Sequence, residues 1–277
     1  MSEQTQQVGA LFDRLADDYD QSGVAFFEPI AEQLVAALDV RPGERALDVG
    51  CGRGAVTLLL ARAVGTDGSV TAVDLAPAMV EHTRVAAAGL GNVRAAVMDA
   101  TAPTDPPAAE GSFDLLASSL VLFFLPDPGA ALAGWVRLLR PGGRIGVTTF
   151  GDQDDTWRAV DALFEPYLPP HLLDPRTRGR GGPFTSDAGM EELMRSAGAS
   201  EVRTVHERLP VRFADAEQWR RFSMGTGQRA MWGFVPEAER EVVFARAADL
   251  LAGARDGSGA IVLHQDVRHT LGRRPAG

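Results

Sequence analysis

Apolar and polar positions alternate with two different periods along the first 150 residues of the chain. Between residues 26 and 38, apolar side chains recur at every third or fourth position, which predicts an amphipathic helix. Short apolar runs predict strands at 45–49, 70–73, 93–98, 113–118 and 144–150. Helical patterns lie between most of these strands, at 55–64, from Pro77 onwards and at 130–139. Strands that alternate with helices favour a doubly wound parallel sheet with right-handed crossovers.

The pattern changes after residue 150. Residues 152–183 contain many prolines, arginines and aromatic residues, and a helix is predicted at 190–197. Long strands are predicted at 202–213 and 260–271, with two helices between them. We expect these late strands at the edge of the sheet, and the inserted helices as a cap over its carboxyl end.

Composition and charge exclude several classes of function. The chain has 277 residues, a net charge of −10 and no lysine among its 27 basic residues. Schiff-base chemistry and a phosphate-binding loop both need lysine, so both are excluded. A single cysteine, Cys51, excludes an internal disulfide and a multi-cysteine metal site, and suits a cytoplasmic protein. The acidic balance disfavours nucleic acid as a partner, and no apolar run reaches the length of a membrane span.

A glycine-rich stretch, Asp48-Val-Gly-Cys-Gly-Arg-Gly54, directly follows the first predicted strand and opens a helix. Glycine lets the backbone turn sharply and approach a ligand closely. Gly50, Gly52 and Ala55 also satisfy a loose dinucleotide-binding fingerprint. Asp74, which ends the second strand, does not distinguish a dinucleotide site from an adenosyl site, because both place an acid there for the ribose hydroxyls. A tight turn without a ligand is the third interpretation.

Polar groups at further strand ends favour the adenosyl site. Asp99 follows the third strand, where its carboxylate can accept the adenine amino group and the Ala100 amide can reach a ring nitrogen. Ser118 and Ser119 end the fourth strand. Acids or polar groups at four successive carboxyl ends line one crevice of the predicted sheet.

With these motifs, the chain resembles the class I S-adenosylmethionine (SAM)-dependent methyltransferases over residues 12–150. The resemblance is closest to their small-molecule branch, which is related to the ubiquinone and menaquinone biosynthesis methyltransferases. It implies that the glycine turn passes the methionine part of SAM, that Asp74 holds the ribose, and that Leu75 and Met98 sandwich the adenine. The cofactor-binding residues expected from the motifs and the resemblance are Asp48, Gly50, Cys51, Gly52, Gly54, Asp74, Leu75, Met79, Met98, Asp99, Ala100, Ser118 and Ser119.

The resemblance extends to the stretch from Phe12 to Asp20. In this family, such a segment folds over the cofactor and its tyrosine faces the reaction centre, which makes Tyr19 a candidate catalytic residue. The alternative is that Tyr19 only caps a helix that packs on the core. The expected parts are a helical lid at 1–40, the SAM-binding core at 41–150, and a remainder that completes the sheet and carries the cap. The expected fold is a Rossmann-like seven-stranded sheet, mostly parallel, with an antiparallel last strand.

Methyl transfer from a sulfonium is an in-line displacement, so alignment and desolvation supply most of the catalysis and no metal is required. An oxygen or carbon acceptor can still need a base, for which His171, His264 and His269 are candidates. His264 and His269 have opposite strand parity, so at most one of them is expected to face inward.

The expected function is methyl transfer to a small, partly apolar acceptor, at oxygen first, then carbon, then nitrogen. The aromatic residues of the cap would line an acceptor pocket or form the core of the cap. Arginines 176, 178 and 180 would bind an anionic acceptor or lie in a solvated loop. A SAM-binding fold without methyl transfer, such as a cyclase or a binding module, and a nicotinamide oxidoreductase stay open, as does a homo-oligomer.

Overall fold

A single mixed sheet with helices on both faces organises the computed structural model, which describes residues 3–103, 110–169 and 181–276. His171 and arginines 176, 178 and 180 lie outside these residues. The strands are β1 (Arg45–Val49), β2 (Ser69–Asp74), β3 (Val93–Val97), β4 (Phe113–Ser119), β5 (Leu139–Gln153), β6 (Ser200–Phe213) and β7 (Ile261–Arg273). The helices are α1 (Glu3–Leu15), α2 (Phe27–Ala37), α3 (Ala55–Val64), α4 (Pro77–Ala86), α5 (Pro128–Leu138), α6 (Asp155–Ala162), α7 (Asp187–Ser196), α8 (Ala216–Met224), α9 (Arg229–Phe234) and α10 (Glu237–Ala252).

The strand order is β3-β2-β1-β4-β5-β7-β6. The first five strands pair in parallel, and β7 runs antiparallel to both β5 and β6. The order reverses between β1 and β4, which is where an open sheet of this kind leaves a crevice at its carboxyl edge. The predicted fold class is therefore confirmed, including the antiparallel last strand.

Two element boundaries differ from the sequence prediction. Pro141 and the two glycines after it were expected to end the helix before the fifth strand, but β5 already begins at Leu139. Leu139 pairs with Phe113, and the register then shifts so that Arg144 pairs with Leu115. The proline and glycines therefore form an irregularity within a pairing strand. Between β6 and β7 the cap contains three helices where two were expected. Helical structure is interrupted after Met224 and again at Val235 and Pro236.

Both faces of the sheet are covered by helices, which explains why its strands read as nearly continuous apolar runs. Helix α2 packs so closely on β5 that a Cβ atom on Gly146 would lie 2.9 Å from Leu34 Cδ1. On the other face, Met194 of α7 and Ile145 of β5 approach Gly272 of β7. Helix packing on both faces confines the open, polar part of the sheet to the strand ends.

One ion pair is buried at the opposite, amino-terminal edge of the parallel strands. Glu44 and Arg144 are 8% and 7% exposed, and their Oε2 and Nη2 atoms lie 2.5 Å apart. Glu44 also accepts a hydrogen bond of 2.7 Å from the Arg41 amide. A buried charge is tolerated only when it is paired and hydrogen-bonded, so each partner depends on the other.

We predict that Glu44→Ala lowers the free energy of unfolding by about 3–5 kcal/mol, because it leaves the Arg144 guanidinium buried without a counter-charge. Chemical denaturation measures the loss. The double variant Glu44→Leu with Arg144→Met is the control, and it should be closer to the wild type because both charges are removed. A loss below about 1 kcal/mol in the single variant would mean that the pair behaves as a solvated surface pair.

Candidate active site

The glycine turn after β1 is tied to the end of β2. The Gly50 and Cys51 amides both donate to the Val73 carbonyl, at 2.8 and 2.9 Å. Gly50 has φ +77°, and a Cβ atom there would lie 2.2 Å from Val121 Cγ2. A side chain is excluded at Gly50 both by the backbone conformation and by the neighbouring strand end. The turn therefore presents bare backbone to the crevice, as a closely bound ligand requires.

Asp74 supports the same turn through its side chain. Its Oδ2 accepts a hydrogen bond from the Gly52 amide and its Oδ1 one from the Ala76 amide, each at 2.9 Å. Burial raises the pKa of Asp74, and the hydrogen bonds from Ala76 and Gly52 lower it. The Leu75 amide also lowers the pKa by hydrogen bonding. A carboxylate has about four acceptor positions, so Asp74 keeps the capacity to accept a hydrogen bond from a ribose hydroxyl.

Asp48 lies beneath the turn, 1% exposed, on the face of the sheet covered by α3. Its Oδ2 accepts a 2.5 Å hydrogen bond from Thr57 Oγ1, while its Oδ1 is buried without a partner among the described residues. Burial raises the pKa of Asp48 to about 7, a rise that Thr57 opposes and the charge of Asp74 supports. An unpaired carboxylate oxygen under the glycine turn fits a cationic ligand such as SAM.

The residues predicted for the adenine lie at the ends of β2 and β3. The Met98 amide donates to the Asp74 carbonyl at 2.9 Å, which aligns the two strand ends. Asp99 Oδ1 accepts from the Thr101 amide and hydroxyl, at 2.9 and 2.8 Å, and the Ala100 carbonyl accepts from Trp135 Nε1 at 2.7 Å. The structure thus brings Met98, Asp99 and Ala100 to the same strand end as Asp74.

Helix α1 crosses above Leu75. A Cβ atom on Gly9 would lie 2.9 Å from Leu75 Cδ2, so the helix backbone and the Leu75 side chain are in close contact. A pocket of about 200 Å³ lies between the helix and the end of β2. Its lining residues are Gln6, Gly9, Ala10, Asp13, Leu75 and Pro77.

Three predicted cofactor residues turn their side chains into the core. The Cys51 thiol packs against apolar side chains of β2, α4 and β3, and burial raises its pKa. Met79 is 1% exposed and packs beneath the end of α1. The Ser118 hydroxyl donates to the Val49 carbonyl at 3.0 Å and joins β4 to β1, whereas Ser119 is half-buried at the strand end. A role for Cys51 in cofactor binding would therefore involve its backbone.

The segment after α1 is anchored directly to the cofactor side of the crevice. The Arg53 guanidinium donates to the carbonyls of Ala16 and Asp17, and Asp13 Oδ1 accepts from the Ala78 amide at 2.8 Å. These contacts lead the chain to Tyr19.

Tyr19 is half-buried next to aromatic side chains of the N-terminal segment. Its ring stacks on Phe27 at a centroid distance of 4.9 Å. Burial raises the pKa of Tyr19, and the charges of Asp20 and Asp74 raise it further. The hydroxyl therefore stays protonated around neutral pH, in the electrostatic reach of the carboxylate that ends β2. It can orient a substrate as a donor, but it cannot act as the base.

Asp20 is a half-buried acidic residue beside Tyr19 that the sequence analysis did not single out. It has φ +58°, a left-handed conformation that aspartate adopts more readily than most residues other than glycine, and its amide donates to the Gly225 carbonyl at 3.3 Å. Burial raises the pKa of Asp20 to about 6, while Arg53 lowers it and Glu28 raises it. Its position directly after Tyr19, in the segment that resembles the family, was the signal that could have found it.

The candidate bases His264 and His269 differ in their burial. His269 is 1% exposed, with Nδ1 2.9 Å from Thr148 Oγ1, and burial, followed by the charge of His206, lowers its pKa to about 4. His264 is half-buried, with its Nδ1 3.6 Å from Asp154. The prediction that at most one of the pair faces inward is confirmed. Buried inside the sheet between β5 and β6, a neutral His269 contributes to packing.

Most aromatic residues of the cap form its core. The buried members are Trp157, Phe164, Phe184, Trp219, Phe222 and Trp232. Tyr167 instead donates to Glu239 at 2.7 Å, and Phe234 is 44% exposed. A second aromatic group, which the sequence analysis did not single out, lies nearer the crevice and comes mainly from the N-terminal segment and the ends of β4 and β5.

In the described ranges, no three histidine, cysteine or acidic side chains come together in a way that could hold a metal ion. None of the helices resolved there has both the length and the apolar character needed to cross a membrane.

The family follows from this fold and site together with the comparisons. Residues 47–147, which run from β1 through most of β5, match the family model described as a methyltransferase domain. Nocamycin O-methyltransferase from Saccharothrix syringae is 38% identical over 281 residues, covering 96% of this chain and 99% of the relative. The chain therefore belongs to the class I SAM-dependent methyltransferases, in their small-molecule branch.

Two other proteins extend the likeness. Aklanonic acid methyltransferase from Streptomyces sp. strain C5 is 41% identical over 170 residues, which cover 61% of this chain and 76% of that relative. The solved structure of the YcgJ protein from Bacillus subtilis has a TM-score of 0.58 at 17% identity, over 89% of this chain and 98% of the other. At that identity, the structural likeness supports the fold alone.

We predict that Asp48→Asn changes the pH dependence of stability. The pKa of Asp48 is raised from 3.8 to about 7, so the folded protein keeps a proton that the unfolded chain releases. Wild-type stability should therefore fall as the pH rises from 4 to 7, by on the order of 4 kcal/mol from this group. Urea unfolding at several pH values tests this. A variant curve parallel to the wild-type curve over that range would contradict the prediction.

Proposed function

We propose that this protein binds SAM at the glycine turn and transfers its methyl group to an oxygen of a small, partly apolar acceptor. The observation that best supports this proposal is the position of Asp74. Its carboxylate accepts a hydrogen bond from the Gly52 amide of the turn and can still accept a further one. Oxygen as the accepting atom is supported by the name of the relative that spans almost the whole chain, nocamycin O-methyltransferase.

In this proposal, different residues of the crevice contact different parts of SAM. The turn from Gly50 to Gly54 passes the methionine part, the Asp74 carboxylate accepts the ribose hydroxyls, and Asp99 accepts the adenine amino group. Leu75 and Met98 enclose the ring. When bound, SAM supplies a methyl group made electrophilic by its sulfonium. The carboxylate of Asp74, and that of Asp48 once it is ionised above its raised pKa of about 7, offset that positive charge in a site of low polarity.

The acceptor hydroxyl needs to lose its proton, and we assign Asp20 as its base. Asp20 directly follows Tyr19, its pKa is raised to about 6 by burial, and its amide bonds to the cap at Gly225. A base of that strength is largely ionised at neutral pH and still basic enough to take a proton in the transition state. Tyr19, which stays protonated, orients the acceptor oxygen by donating a hydrogen bond.

Replacing Asp74 tests the cofactor site. Asp74→Ala should weaken S-adenosylhomocysteine binding about a hundredfold or more in calorimetry, because hydrogen bonding between the ribose and a charged group is lost. Asp74→Asn keeps one acceptor oxygen, so its affinity for S-adenosylhomocysteine should lie between that of Asp74→Ala and that of the wild type. The exposed Asp249→Ala is the matched control and should bind normally. Equal affinity of Asp74→Ala and the control would overturn the ribose assignment.

Replacing Asp20 tests the base. In the wild type, kcat/KM should fall about tenfold per pH unit below a midpoint near 6 and level off above it, because only the ionised carboxylate accepts the proton. Asp20→Asn should lose most of its activity, and its remaining kcat/KM should no longer show this fall at acidic pH, which is the acid limb of the profile. Its S-adenosylhomocysteine affinity should stay normal. Tyr19→Phe should lower kcat but keep the acid limb.

An unchanged acid limb in Asp20→Asn would remove Asp20 as the base. Normal binding of S-adenosylhomocysteine without methylation of any acceptor in a broad screen would favour a SAM-binding fold that does not transfer methyl groups. Tight binding of a reduced nicotinamide in place of S-adenosylhomocysteine would favour an oxidoreductase.

A further inference from the structure

Arg53 reaches from the glycine turn to the stretch of chain that carries Tyr19 and Asp20. Its Nη1 donates to the Ala16 carbonyl, and the Asp17 carbonyl lies 3.4 Å from the same nitrogen. Both carbonyls lie just past the end of α1, where the last carbonyls of a helix have no partner within the helix. A cation is also favoured at this end by the helix dipole. The guanidinium therefore completes the carboxyl end of α1.

The backbone from which the Arg53 side chain starts is fixed by the turn itself. On one side, the Gly52 amide donates to Asp74 at 2.9 Å, and the Thr83 hydroxyl donates to the Gly52 carbonyl at 2.7 Å. On the other side, Gly54 has φ +95°, and its amide donates a hydrogen bond of 2.8 Å within the turn. The guanidinium is therefore attached to a rigid backbone that borders the proposed cofactor site.

The acceptor of the Arg53 hydrogen bond is buried. Ala16 is 1% exposed, so its carbonyl has little access to water. A buried backbone carbonyl that loses its partner is costly, and the chain is expected to move until water reaches it. The next residues would move too, because the amides of Asp18 and Tyr19 both donate to the Leu15 carbonyl, at 3.0 and 2.8 Å. The order of residues 16–20 therefore depends on the guanidinium.

Other contacts of the same stretch start outside the turn. Asp13 Oδ1 accepts from the Ala78 amide of α4 at 2.8 Å, and Asp17 Oδ1 lies 2.9 Å from His82 Nε2 on the same helix. A third acid, Asp18, pairs with the cap at 3.1 Å. All three carboxylates belong to exposed residues, so water competes for these contacts. The guanidinium contact differs from them because it starts in the turn and ends on a buried carbonyl.

Opposing effects act on the carboxylate of Asp20. Burial, the largest of them, raises its pKa to about 6, while the charge of Arg53 lowers it and that of Glu28 on α2 raises it. The cap faces Asp20 with a backbone carbonyl, that of Gly225, which accepts from the Asp20 amide at 3.3 Å. Loss of the Arg53 charge alone would raise the pKa, whereas loss of burial would lower it towards the ordinary range of aspartate. The direction of a measured shift therefore reports whether Asp20 has moved.

We propose that Arg53 is a positioning residue, which holds Tyr19 and Asp20 at the reaction centre and links occupancy of the cofactor site to the order of residues 16–20. It acts through the carbonyls of Ala16 and Asp17, without contact between its guanidinium and the reacting atoms. A ligand bound against the turn restrains the Arg53 backbone, and the side chain passes that restraint to residues 16–20. This inference rests on the proposed function, which places Tyr19 and Asp20 beside the acceptor.

Hydrogen exchange of the Asp18 and Tyr19 amides, with and without saturating S-adenosylhomocysteine, tests the link. In the wild type, S-adenosylhomocysteine should slow both exchange rates at least about fivefold. In Arg53→Met, which loses the guanidinium, the ligand should change them by less than about twofold. Arg53→Lys keeps the charge and a donor for the Ala16 carbonyl, so it should recover most of the protection. The matched control is Arg62→Met, at an exposed position of α3, and it should behave as the wild type.

Titration of Asp20 tests the position. In protein labelled with 13C-aspartate and saturated with S-adenosylhomocysteine, the carboxyl carbon of Asp20, assigned by its absence in Asp20→Asn, should titrate near pH 6 in the wild type. In Arg53→Met, the midpoint should fall by about one pH unit or more, because burial is lost. In Arg53→Lys and in Arg62→Met, it should stay near the wild-type value. A role of Arg53 through its charge alone predicts the opposite direction.

S-adenosylhomocysteine affinity is measured first for each variant. Because coupling is reciprocal, the affinity of Arg53→Met should fall by no more than the protection that is lost, and stay well above that of Asp74→Ala. If Arg53→Met does not fold, Arg53→Gln, whose side chain is two bonds shorter, replaces it.

Equal protection in Arg53→Met and the wild type, or an Asp20 midpoint that rises or stays unchanged, would overturn the positioning role. Binding of S-adenosylhomocysteine to the wild type without any protection of the two amides would overturn the link and leave the proposed function intact. A wild-type protein that does not bind S-adenosylhomocysteine would instead overturn the proposed function.

Discussion

The link between the glycine turn and the end of β2 is the constraint on which the rest of the site depends. Val73 accepts hydrogen bonds from two amides of the turn, Asp74 accepts a third, and the Thr83 hydroxyl donates to the Gly52 carbonyl at 2.7 Å. These four hydrogen bonds hold the turn within the protein itself, so the proposed ribose site at Asp74 is preorganised before any ligand arrives.

The N-terminal segment completes the crevice through contacts with this supported turn. Arg53, whose backbone belongs to the turn, donates to the carbonyls of Ala16 and Asp17. The segment also reaches the cap, because Asp18 pairs with Arg229 at 3.1 Å and its carbonyl oxygen would lie 2.8 Å from a Cβ atom on Gly225. Tyr19 and Asp20 thus lie where the glycine turn, the N-terminal segment and the cap meet.

Prediction from the sequence succeeded where local patterns decide the outcome. The first five strands were placed to within a few residues, except for the early start of β5, because parallel strands covered on both faces must be apolar along their length. The boundary at Leu139 was missed because a proline and two glycines ordinarily end an element, whereas pairing of Leu139 with Phe113 and the later register shift keep them within the strand. The short helix Arg229–Phe234 was missed because it lies between the glycines that follow Met224 and Pro236, where the pattern predicted only the connection between two helices.

The sequence alone determined the fold class, the glycine turn and the acids at the strand ends, because each depends on residues close together along the chain and on the geometry of a parallel sheet. Only the tertiary structure decided which side chains share the crevice. It turned Ser118 and Cys51 towards the core, buried His269, and raised the pKa of Asp20 by desolvation. It also brought Phe12, Phe124 and Phe150 together across more than a hundred residues. Contacts of that range arise from the packing of whole elements, which periodicity within a single element does not specify.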